Sequence, residues 1–165
     1  MKNYKNLLIT GIFMLIFTTV NHRSYAHCEI PCGIFEDTVR VELIKEHITT
    51  IEKSMKMIIE LSNEESPDYN QIVRWVINKE DHANKIQKIV SQYFLHQRIK
   101  PVEPENEELY EKYIERLTLL HDLSIYAMKA KQTTDLSYIK KLSRAINDFE
   151  HAYFHTHDHD HGHKH

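Results

Sequence analysis

VELIKEHITTIEKSMKMI, residues 41–58, decides the fold class of this chain. Val41, Ile44, Ile48, Ile51, Met55 and Ile58 recur at steps of three and four, with charged residues such as Glu42, Lys45, Glu52 and Lys56 between them. At 3.6 residues per turn, that spacing gathers the apolar side chains on one face of an α-helix and leaves the charges on the other.

Three further segments repeat the pattern. Ser66-Pro67 reads as an N-cap followed by proline at the first helical position. From there Ile72, Val76, Ala83, Ile86, Val90 and Tyr93 continue on one face with Trp75 beside them. Pro101 and Pro104 interrupt the pattern before a third helix carrying Leu109, Tyr113, Leu117, Leu120, Ser124 and Ala127. Thr134 or Asp135 caps a fourth, with Ile139, Leu142, Ile146, Phe149 and Tyr153. The links between them are short, which favours antiparallel neighbours. The expected fold is all-α: an antiparallel up-down-up-down four-helix bundle over residues 36–154, preceded by a short hook at residues 27–35. Most of these apolar residues are core and carry no chemistry.

Composition agrees. The chain has 165 residues with 3 glycines and 4 prolines, few for a multi-strand or loop-rich fold. It contains no glycine-rich phosphate loop, and a net charge of −3 gives no reason to expect a nucleic-acid partner. The first 26 residues are of another kind. Lys2 and Lys5 precede an apolar run from Leu7 to Val20, and Ser24-Tyr25-Ala26 closes it with small residues at the outer positions. That is the pattern of a secretory signal peptide. The run is shorter than the roughly 20 apolar residues of a membrane span. The mature chain is therefore expected to begin at His27, exported to the periplasm or beyond, with no membrane attachment after cleavage.

Cys28 and Cys32 are the chain's two cysteines, both close to that expected terminus. A disulfide is one reading, since an exported protein meets an oxidising compartment. It would close a small loop and staple nothing of the bundle. Nor is the C-x-x-x-C spacing the C-x-x-C of redox motifs and zinc knuckles. A metal reading uses more of the segment. Cleavage after Ala26 frees the amine of His27, which with the amide nitrogen and thiolate of Cys28 can close adjoining chelate rings. Pro31 bends the chain and Gly33 permits tight geometry, so Cys32 can return its thiolate to the same ion. Two nitrogens and two sulfurs suit a tetragonal divalent ion such as nickel or copper.

The stretch His27-Cys28-Glu29-Ile30-Pro31-Cys32-Gly33 resembles the nickel hook of nickel superoxide dismutases, His-Cys-x-x-Pro-Cys-Gly-x-Tyr at the mature N-terminus. The four-helix layout is similar too. The resemblance implies one nickel ion per subunit, held by the His27 amine, the Cys28 amide and both thiolates, with the His27 imidazole as axial ligand. It implies superoxide as substrate, converted to dioxygen and hydrogen peroxide at a mononuclear Ni(II)/Ni(III) site, and a homohexamer of bundles. The family's tyrosine two residues beyond the glycine is Phe35 here. Tyr93, in Ser91-Gln92-Tyr93-Phe94, resembles the family's second pocket tyrosine. Arg40-Val41-Glu42 is similar to the segment whose glutamate orients the N-terminal histidine, with one residue deleted before it. His82 falls where some members carry an arginine in the same role. Glu42 and His82 are thus candidates for supporting the metal ligands.

His155, His157, His159, His161, His163 and His165 alternate with other residues at the C-terminus. Residues 155–165 have the composition of a disordered, metal-collecting tail that binds further ions. A competing function is an exported metal-binding or metal-delivery protein without catalysis; a third is a small disulfide-bonded helical partner.

Overall fold

A computed structural model of the chain describes residues 36–154. The expected leader (residues 1–26), hook (residues 27–35) and histidine tail (residues 155–165) lie outside the described residues. Four helices form the described part: α1 (Asp37–Ser62), α2 (Tyr69–Lys88), α3 (Glu107–Gln132) and α4 (Ser137–Phe154). The helix of α2 runs on through a π-helical stretch, Ile89–Arg98. Each helix packs on its chain neighbours, and α1 closes the ring against α4. This is the expected antiparallel four-helix bundle.

All six periodic residues of α1 are buried. So are Ala83, Ile86, Val90 and Tyr93 from the second helix, and Ile139, Leu142, Ile146, Phe149 and Tyr153 from α4. Burying a side chain of this size contributes about 1.5–3 kcal/mol, so these stripes carry most of the driving force. Ser54 is buried among them without cost, because its hydroxyl donates to the Thr50 carbonyl and accepts from Asn78 Nδ2 on α2.

Two expectations need correction, and one alternative is decided. Helix α2 begins at Tyr69, and its N-cap is Asp68, whose carboxylate accepts from the Gln71 amide at 3.1 Å. Proline disfavours helical geometry in the residue before it, so Ser66 stays outside the helix and Pro67 precedes the cap. In α3, Leu109 is 49% exposed and Tyr113 only half-buried, while the core begins at Leu120. Helix α3 is longer than α4, and Arg116 already reaches the last turn of α4 through its bond to the Ala152 carbonyl. The first two turns of α3 therefore overhang the bundle. At the fourth helix, Asp135 does the capping: its side chain accepts from the Ser137 amide at 2.8 Å.

Lys79 was not expected in the interior, yet it is 4% exposed. Its ammonium donates to the carbonyls of Lys131 and Thr133 at 2.7 and 3.0 Å. Those carbonyls sit at the C-terminal end of α3, where helical acceptors lack intrahelical donors and the helix dipole favours a cation.

Antiparallel order puts the start of α1, the π stretch, the start of α3 and the end of α4 at one end of the bundle. In the π stretch, backbone bonding widens to five residues, as in the Ile99 amide to the Phe94 carbonyl at 2.9 Å. Residues five apart then stack over one another, which brings Arg98 beside Tyr93. Phe94 is fully buried below and meets Phe149 edge-on, with ring centroids 4.8 Å apart.

Candidate functional site

The chain enters α1 from the expected hook at this same end, and Asp37, the first residue of α1, organises it. Its carboxylate accepts from the Tyr93 hydroxyl in a short hydrogen bond, from the Tyr153 hydroxyl at 2.7 Å and from Arg98 Nε at 2.9 Å. Arg98 Nη2 also donates to the Tyr93 oxygen at 3.2 Å. The guanidinium groups of Arg40 and Arg98 lie over the Tyr93 ring, 4.9 and 5.2 Å from its centroid, at distances where cation–π attraction operates. Burial first, and then the Asp37 carboxylate, push the Tyr93 and Tyr153 phenols above the ordinary tyrosine range. Both stay protonated at neutral pH and act as hydrogen-bond donors.

Of the residues singled out in the sequence, Tyr93 therefore belongs to the core and to a polar cluster at once. Glu42 is exposed on α1 and pairs with Lys45 at 2.8 Å, which also reaches Glu150 on α4 at the same distance. His82, on α2, faces His47 on α1: their Nδ1 atoms are 3.2 Å apart and their rings meet edge-to-face. Glu42 and His82 thus stand in two separate contacts. His27, Cys28 and Cys32 lie outside the described residues.

Between α1 and α2 runs a cleft of about 310 Å³, bordered by Arg40, His47, Lys85 and Lys88 and reaching Tyr93. Lys85 is partly offset by its pair with Asp81 at 2.6 Å. The charged side chains that line the cleft, Arg40, Lys85 and Lys88, are all basic. Burial lowers both histidines from the ordinary imidazole value, and for His47 the neighbouring His82 adds to the effect. They are neutral near pH 7.

Asp37, Arg98, Tyr153 and His47 were not foreseen as site residues. Asp37 reads in sequence as an ordinary first-turn acid, and Tyr153 was legible only as one more residue of a helical stripe. Among the described residues, no three His, Cys, Asp or Glu side chains gather as a metal-binding group. Nor, among them, is any helix long and apolar enough to cross a membrane.

The family model for nickel-containing superoxide dismutases matches residues 22–157, an interval that contains every described residue. No curated protein and no solved structure matches the chain significantly.

Proposed function

The chain belongs to the nickel-containing superoxide dismutase family, and on that premise we propose that His27, Cys28 and Cys32 hold the nickel beside the Asp37–Tyr93 end of the bundle. The chain is a nickel-dependent oxidoreductase acting on superoxide. The observation that carries the proposal about the site is the placement of Asp37. It stands five positions after Cys32, a reach of at most about 18 Å in a fully extended chain. The Cys32 thiolate is thereby tethered to the end of the bundle that holds two protonated phenols, a carboxylate and two arginines.

The donor set fits the metal. An amine, an amide nitrogen and two thiolates make a tetragonal field suited to nickel, and thiolates are the ligands that bring its potential into range. Bound there, nickel supplies a one-electron couple between its divalent and trivalent states. The protein does the rest. Dismutation turns two superoxide ions and two protons into dioxygen and hydrogen peroxide, so the site must gather an anion and supply protons.

Arg40, Lys85 and Lys88 along the α1–α2 cleft attract an anion toward Tyr93. Asp37 and Arg98 hold the Tyr93 hydroxyl in one orientation. Burial keeps that phenol protonated, so it orders water or peroxide by hydrogen bonding without ionising. Phe35 has no hydroxyl to share this task, and of the two phenols held by Asp37 it is Tyr93 that borders the cleft.

The proposal includes export: residues 1–26 act as the leader, and cleavage after Ala26 creates the amine that the metal needs. It includes the homohexamer and further metal ions on residues 155–165. Tyr69, Val73 and Ile77 form an exposed stripe on one face of α2, apolar surface that such an assembly would bury.

The test is made on protein recovered from its own host. Intact mass should place the start at His27. The nickel-loaded chain should remove superoxide catalytically and show an electron paramagnetic resonance signal from oxidised nickel. A chain that starts elsewhere, or that binds nickel without turnover, would overturn the site.

A further inference from the structure

The imidazoles of His47 and His82 cross from α1 to α2 with Nδ1 facing Nδ1 at 3.2 Å. Two nitrogen ligands at 2.0–2.1 Å from one ion, at the tetrahedral angle, are about 3.3 Å apart. The pair already has the spacing a bidentate site requires, without movement of either helix. We propose that His47 and His82 form a second metal site, separate from the hook, which takes one divalent ion of the class that prefers imidazole: zinc, copper or nickel.

Three features support it. Imidazole binds a metal through an unprotonated nitrogen, and burial holds both rings neutral at pH values where exposed histidines begin to charge. Each ring would then keep its proton on Nε2, so binding needs a change of tautomer and no loss of charge from the protein. Glu46 and Asp81 lie close enough to bias the imidazoles electrostatically, and they offset part of the ion's charge against Lys85. Finally, His47 borders the α1–α2 cleft, which has room for the waters that complete four-coordination.

The consequence is mechanical. An ion shared by α1 and α2 adds a cross-link between helices that already pack on each other, and this two-helix site exists in the folded state alone. The ion therefore stabilises the bundle in proportion to its occupancy. No electron moves in this step, and the site has no thiolate with which to tune a redox couple.

Zinc serves as the probe, with the full mature chain already carrying nickel. Anomalous diffraction at the zinc edge from soaked crystals should place a peak between the two Nδ1 atoms. Zinc taken up by residues 155–165 would not appear at this position. In solution, zinc should raise the melting temperature of the parent, and His82→Asn or His47→Gln should lose that rise. Cys28→Ser should keep it, which separates this site from the hook whatever becomes of the catalytic proposal. No peak at the pair, a rise that survives both histidine substitutions, or a rise lost in Cys28→Ser would each overturn the inference. The diffraction measurement needs no variant, so it stands even if a histidine substitution fails to fold.

Discussion

Asp37, the first residue of α1, accepts a hydrogen bond of 2.7 Å from the hydroxyl of Tyr153 in the last turn of α4, 116 residues further along the chain. The same carboxylate holds Tyr93 and Arg98. One side chain thus ties the point where the expected hook joins the bundle to two other helical elements. A substitution there should be felt both in the fold and in the phenols.

Asp37→Asn should lower stability by about 1–3 kcal/mol, because it weakens charge-assisted bonds to partly buried donors. It should also bring the Tyr93 and Tyr153 phenols down toward the ordinary tyrosine value, since the carboxylate is one cause of their upward displacement. Chemical denaturation and an ultraviolet tyrosine titration would check the two effects separately. Unchanged phenol titration would leave burial as the whole cause.

Cys28→Ser and Cys32→Ser should each abolish dismutase activity with helix content nearly unchanged. The hook precedes α1, and the buried residues of the described core all lie beyond it. Activity assays with circular dichroism decide the matter. Retained turnover would refute thiolate ligation; loss of the helical signal would make the cysteines structural.

Tyr93→Phe keeps the ring packed against Phe94 but removes the hydroxyl held by Asp37 and Arg98. Turnover should fall, or inhibition by peroxide should appear, at a stability cost of about 1–3 kcal/mol for the partners left unpaired. Phe35→Tyr should partly rescue the variant by restoring a phenol on the hook. If the Tyr93→Phe pH–rate profile overlays the parent's, Tyr93 is a core residue only.

Lys79→Met should cost about 1–3 kcal/mol, because the carbonyls of Lys131 and Thr133 lose their donor while the aliphatic volume is kept. Activity of the folded variant should persist, as Lys79 sits at the end of the bundle opposite Asp37. A melting curve and a dismutase assay on the same sample would show both.

With chelator present, stability should fall as the solution is acidified through the ordinary histidine value of 6.5. His47 and His82 are lowered in the folded state, so the unfolded chain takes up protons first and gains on acidification. The loss should begin near pH 7 and level off once the folded imidazoles also protonate. His47→Gln should flatten the dependence. A profile identical in parent and variant would mean that the pair does not titrate with unfolding.

What the amino-acid sequence determined by itself was everything local. Helical periodicity marked the buried stripes of α1 and α4 residue by residue, because burial of a helix face follows a fixed angular step along one segment. The proline and cap residues located the breaks to within a few positions, missing by two at Ser66, where the proline excluded its predecessor. The hook's donors are a reading of the sequence alone: a chelate built from neighbouring residues needs no long-range contact, and residues 27–35 lie outside the described residues. Asp37, Arg98 and Tyr153 were not legible as a cluster, nor was His47 as the partner of His82. Their meeting depends on which helix ends the antiparallel connections bring together, and on a π register between Ile89 and Arg98 that turns Arg98 onto Tyr93. The residues of that stretch meet Asp37 on α1 and Phe149 on α4, contacts that exist only in the assembled bundle.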